Sequence, residues 1–109
     1  GQPWLDAVLA YQLENRDLVM DFFASRIPDL HVLRPEATYM AWLDCRDLGL
    51  PADPFNFFLE HGRVALTGGN EFGTPGKGFA RINFATSRTI LMEILERMEA
   101  AVHRLPSIG

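Results

Sequence analysis

FGTPGKGFARINFA, residues 72–85, decides how this chain is read. A glycine-rich loop runs into an apolar strand, and from Phe79 to Ala85 successive side chains point to opposite faces. Ala80, Ile82 and Phe84 share one face and can fill a core, while Phe79, Arg81, Asn83 and Ala85 share the other. A guanidinium beside an amide on that second face is a planar fork of donors suited to a carboxylate. Spacing alone equally describes an ordinary arginine on a solvated strand face, which is the commoner arrangement.

Outward from this strand, the pattern gives the order α-β-β-α-β-β-α. Pro3 suits a first helical turn, and apolar periodicity predicts one long helix over residues 3–26. Its stripe is Trp4, Val8 and Tyr11, with Leu5, Leu9 and Leu13 beside it; the polar group Asn15-Arg16-Asp17 interrupts before Leu18, Val19, Phe22 and Phe23 resume. Pro28-Asp29 ends the helix. Residues 31–34 form a short strand that Pro35 should stop, and residues 38–44 form a better one, apolar on both faces. Pro54 opens a short helix over residues 55–61, with Gly62 as its stop, and residues 64–67 are a short strand. After the strand at 79–85, Thr86 or Ser87 can cap a last helix whose stripe is Leu91, Leu95, Met98, Val102 and Leu105, with a Glu93–Arg97 pair on its surface. These elements predict an α+β fold: a two-layer small domain with a mostly antiparallel sheet and the long first and last helices packed on one face.

Composition narrows the function. The 109 residues are 48% apolar, enough for one domain with a real core, and the formal net charge is −4. Scattered basic residues argue against nucleic acid as a partner, and no apolar run approaches a membrane span, so no membrane is expected. The single cysteine, Cys45, can form no internal disulfide, which fits a cytoplasmic setting; it is expected to be a small packed residue and not a nucleophile. His31, His61 and His103 lack metal-ligand spacing, and Glu36, Asp44 and Asp47 are expected to be solvated acids near turns.

Six of the nine glycines lie between 62 and 78, a density that invites a phosphate-cradling reading. It fails. A Walker A loop ending at Gly76-Lys77 needs glycine at 71 and Ser or Thr at 78, where the chain has Glu71 and Gly78; a dinucleotide loop needs glycine at 81, which is Arg81. The sequence opens without an initiator Met and directly into a helical pattern, as a piece of a longer protein would.

The chain also resembles the C-terminal small domain of fold-type-I pyridoxal-phosphate enzymes. The Gly-x-x-Arg-x-x sequence Gly78–Phe84 carries the wide resemblance; PWLDAVLAY (3–11), NRDLV (15–19) and TYMAWLDC (38–45), preceded by Pro35 and Glu36, resemble the bacterial cystathionine and cysteine-S-conjugate β-lyase branch among the class I/II aminotransferases. Gly68-Gly69 departs from the Asp-Gly of many relatives. The resemblance implies that residues 1–109 are the small domain of a larger enzyme, that Arg81 binds the α-carboxylate of an amino-acid substrate, and that the cofactor is pyridoxal 5'-phosphate. It implies a C–S β-lyase, which converts a thioether amino acid to pyruvate, ammonia and a thiol. A class I/II aminotransferase is the alternative. The Schiff-base lysine, the acid on the pyridine nitrogen and the phosphate-binding groups are expected in a large domain of the same polypeptide, with a homodimer as the full enzyme. Lys77, the only lysine, has none of the family's lysine motif around it. On this reading the chain alone holds no cofactor and is inactive. A free-standing α+β module that binds an amino acid or a protein is the reading from a different class.

Overall fold

The computed structural model describes residues 3–36, 40–68 and 78–105. Helix α1 runs from Pro3 to Arg26, strand β1 from His31 to Glu36 and strand β2 from Met40 to Asp44; a 3-10 turn follows at Arg46–Leu48. Helix α2 spans Pro54–Gly62, strands β3 and β4 span Thr67–Gly68 and Phe79–Asn83, and helix α3 spans Arg88–His103. The strands form one antiparallel sheet in the order β1-β2-β4-β3. This is the α+β small domain expected from the pattern.

Side-chain parity builds the core. Ala80, Ile82 and Phe84 are buried on the helix side, and across the ladder Ala41 pairs with Ile82 and Leu43 with Ala80, a small residue against a large one in each pair. Phe57 and Phe58 of α2, Leu91, Leu95 and Met98 of α3, and Val19, Phe22 and Phe23 of α1 close over this face. Burying a side chain such as Phe84 contributes about 2–3 kcal/mol. In α3 the deepest position after Met98 is Ala101, with Val102 only half-buried, because the stripe turns toward α2 at that end.

Three local expectations are corrected. Pro35 does not stop β1: the strand continues to Glu36, with a register shift between Val32 and Pro35. β1 is an edge strand, where a missing N–H and a bulge are tolerated. Gly62 is the last residue of α2, not its left-handed stop; Arg63 takes that role at φ 55°. Glycine at 62 eases the approach of α3: a Cβ there would lie 3.3 Å from the Arg97 carbonyl oxygen, a tight contact. Residues 64–66 make no ladder, yet Val64 and Leu66 are buried, so the segment serves the core through its side chains.

The caps follow from sequence. Asp53 accepts from the Asn56 N–H ahead of Pro54, and Ser87 accepts from the Ile90 N–H at the head of α3. The Glu93–Arg97 pair is present at 2.7 Å.

Candidate functional site: the open face of the sheet

Helix α1 grips the end of β4. Asn15, at 0% exposure the one fully buried polar side chain among the described residues, donates from Nδ2 to the carbonyls of Phe84 at 3.1 Å and Thr86 at 3.0 Å. One turn earlier, the Tyr11 hydroxyl accepts from the Arg88 N–H at 2.6 Å, and the Arg88 guanidinium reaches Glu14 at 2.7 Å. At the far end of α1, Arg26 makes a two-point pair with Glu99 of α3. The junction of β4 and α3 is thereby tied to α1 by side chains.

On the opposite face, which no helix of the described residues covers, Met40, Trp42 and Asp44 of β2 lie beside Phe79, Arg81 and Asn83 of β4. Arg81 sits mid-strand, paired in register with Trp42 on one side and Thr67 on the other. It is half-buried, less open than the substantial exposure expected for a solvated face, because its guanidinium lies 5.4 Å from the centroid of the Trp42 ring. Its Nε–H is buried and has no hydrogen-bond partner among the described residues. At the sheet edge the arginine also borders a cavity of about 350 Å³ that reaches the helix side, lined by Arg63, Val64, Leu66, Ile82 and Ile94. Asn83 is exposed, and its Oδ1 accepts from the Ala85 N–H at 2.8 Å, so it closes a backbone turn.

At the end of β2, Asp44 is not the solvated acid that its turn position suggested. Its side chain is 13% exposed, and Arg46 holds it through both guanidinium edge nitrogens at 2.9 Å each. That hydrogen bonding keeps the Asp44 carboxyl below its ordinary range. The Arg46 guanidinium also lies 4.8 Å above the Phe79 ring. Gly78 makes this arrangement possible: at φ 90° it passes so close that a Cβ would meet Arg46 Cγ at 2.6 Å, and its carbonyl accepts from the Cys45 N–H. Cys45 is buried, and burial pushes its thiol up to about 12, so it is a packed residue and no nucleophile. Asp47 is exposed and lies 2.8 Å from His31. Among the described residues no cluster could hold a metal ion, and no helix is long and apolar enough to cross a membrane. Glu36, Lys77 and the loop centred on Pro75 lie outside what is described at the side-chain level.

No family profile matches the chain. Relatives do. A Mycobacterium leprae protein provisionally named a cystathionine β-lyase is 44% identical over 94% of this chain and 29% of its own length. A pyridoxal-phosphate-dependent β-cystathionase, also provisionally named, from Corynebacterium diphtheriae superposes with a TM-score of 0.86 at 39% identity, over 94% of this chain and 27% of that one. Cystalysin from Treponema denticola, whose structure contains pyridoxal 5'-phosphate, gives 0.83 at 32% identity, over 94% and 26%. The chain is thus similar to one part of enzymes named cystathionine β-lyases, and its structural neighbours are pyridoxal-phosphate-dependent aminotransferases and C–S lyases. It spans less than a third of the length of these relatives.

Pyridoxal phosphate, the cofactor of these neighbours, does not fit the described residues. None of them is a lysine, since the chain's only one is Lys77, and so none can link to the aldehyde of the cofactor. What the described residues do offer is the Arg81 guanidinium on the sheet face opposite the helices. Two residues escaped sequence reasoning. Trp42 could be placed beside Arg81 only once β2 was paired with β4. Asn15 carried a signal in the sequence: it stands between Tyr11 and Val19 at helical spacing, a polar residue inside an apolar stripe.

Proposed function

We propose that residues 1–109 are the small domain of a pyridoxal-phosphate-dependent C–S β-lyase, and that Arg81 binds the α-carboxylate of its thioether amino-acid substrate. The observation that carries this reading is the state of Arg81: half-buried, against an aromatic ring, with a sequestered Nε–H that no acceptor among the described residues satisfies. A buried donor without a partner costs about 1–3 kcal/mol, and a carboxylate brought to the guanidinium would offset part of that cost. A guanidinium held this way offers a carboxylate two parallel donors and fixes the substrate in orientation. It binds and does not carry protons, because an arginine side chain stays charged in proteins. The cofactor, its lysine and the second subunit of a homodimer belong to the rest of the enzyme. The overall conversion is thioether amino acid plus water to pyruvate, ammonia and thiol.

The test is steady-state kinetics of the full-length protein with L-cystathionine. Arg81→Ala should lose about 2–5 kcal/mol of transition-state binding, roughly thirtyfold to several-thousandfold in kcat/KM, with cofactor content unchanged. Arg81→Lys should also be impaired, because an ammonium lacks the planar two-point grip. Near-wild-type kinetics of Arg81→Ala would remove this residue from the site. Pyruvate and thiol as products support the lyase; a keto acid retaining the substrate's carbon chain would make the protein an aminotransferase.

A further inference from the structure

We propose that Trp42 is a positioning residue for the substrate carboxylate, its indole face setting the plane in which the Arg81 guanidinium presents its donors. The inference rests on the reading of Arg81 given above. Trp42 and Arg81 are direct cross-strand partners in the antiparallel β2–β4 ladder, so both side chains stand on the face opposite the helices. The guanidinium carbon is 5.4 Å from the ring centroid, within the range in which an aromatic quadrupole attracts a cation.

The geometry leaves a specific task for the ring. Two-point binding of a carboxylate needs both donors in the carboxylate plane, and an arginine side chain has enough rotatable bonds to lose that plane readily. The Nε–H, the donor closest to the strand, makes no hydrogen bond to a described residue, so no such bond fixes the rotation of the fork. A ring against the face of the guanidinium fixes it without consuming any N–H group, and leaves the edge donors for a ligand. The ring also keeps water off that face, which strengthens the charge–carboxylate contact. An aliphatic residue of similar bulk would fill the space but would not orient the cation.

The test uses the full-length protein, with L-cystathionine as probe substrate and propionate as a probe that carries a carboxylate but no amino group and cannot react. Trp42→Leu should raise KM for L-cystathionine and the inhibition constant of propionate together, by about three- to thirtyfold, the range open to a cation–π contact of partial burial. Its kcat should change less than its KM. Trp42→Phe, which keeps a ring, should recover most of the loss. In an Arg81→Ala background, Trp42→Leu should add less than about twofold, because residues acting as a unit are not additive. Should Trp42→Leu not fold, Trp42→Met takes its place with the same expected effect. Wild-type propionate binding in the ringless variant overturns the proposal. So does an undiminished penalty in the Arg81→Ala background, or a Trp42→Phe enzyme as poor as the ringless one. Arg81→Ala alone decides the underlying reading: if it leaves propionate binding intact, the carboxylate site is elsewhere, whatever Trp42 does.

Discussion

The Asn15 anchor should govern the stability of this domain out of proportion to its size. Asn15→Leu keeps the volume and removes both bonds from Nδ2 to the carbonyls of Phe84 and Thr86. Leaving a buried acceptor without a donor costs about 1–3 kcal/mol, and the half-buried Thr86 site falls at the low end of that range. Against this, Oδ1 of Asn15 is itself buried without a partner among the described residues, and its removal returns about 1 kcal/mol. The net expectation is a loss of about 1–3 kcal/mol, a substantial part of the roughly 5–15 kcal/mol that holds a domain folded. In urea unfolding followed by circular dichroism, with a slope of about 1–3 kcal/mol per molar, the midpoint should fall by roughly 0.5–2 M. Asn15→Asp tests the direction of the bonds. It turns a donor into an acceptor facing two carbonyl oxygens and should lose more than Asn15→Leu at neutral pH. Burial and those dipoles raise the folded-state pKa of the introduced carboxyl above its unfolded value. Its stability is therefore fully present below about pH 4 and is lost as pH rises through the folded value. An Asn15→Leu midpoint equal to wild type, or an Asn15→Asp variant as stable at pH 7 as at pH 4, would refute the anchor.

Arg63→Gly should stabilise the domain by up to about 1 kcal/mol, because a left-handed residue at φ 55° is strained unless it is glycine, less the entropy glycine gains on unfolding; thermal unfolding reads it. The Cys45 thiol should resist iodoacetamide at pH 8 in the folded protein and react on addition of denaturant, and rapid labelling of the native state would contradict its burial. Asp44 stabilises the fold through its lowered pKa above the ordinary carboxylate value, and this contribution is lost as pH falls through the lowered one. Stability measured downward from about pH 4 should therefore fall less steeply in Asp44→Asn than in wild type, and identical acid limbs would show that the Arg46 pair contributes nothing.

Periodicity made most of the fold legible. Alternation along residues 79–85 placed Ile82 and Phe84 inside and Arg81 on the other face because strand parity depends only on backbone geometry. What it could not supply was the neighbour. Pro35 looks like a strand stop when its strand's place in the sheet is unknown, and only the edge position of β1 shows why it is tolerated. Gly62 looks like a helix stop by the usual rule, but its small size serves the approach of α3, and the left-handed turn falls on Arg63. Asp44 looks solvated beside a turn until Arg46 folds back over it. Each misreading concerns a contact set by tertiary pairing. The arginine itself was visible, but the ring that shares its face was not, since Trp42 and Arg81 are far apart in sequence and meet only through the ladder.

The two faces of β4 explain why one short strand can serve a site. Its helix side is tied down by packing around Ile82 and Phe84 and by the Asn15 bonds just past its end. Arg81 is three residues from Phe84, so its backbone inherits that rigidity while its side chain stays outside the core. A long, charged side chain on a mobile strand would spend much of its binding free energy on being ordered, at about 0.5–1.5 kcal/mol per immobilised side chain. With the backbone held from below and the guanidinium against Trp42, part of that ordering is complete before a ligand arrives. Loosening the helix side should therefore weaken carboxylate binding without touching the site. In the full-length protein, Asn15→Leu should raise the propionate inhibition constant while Ala101→Gly, at the α2–α3 contact remote from the Asn15 bonds, should not. Unchanged propionate binding in Asn15→Leu would separate the rigidity of the strand from the function of its arginine.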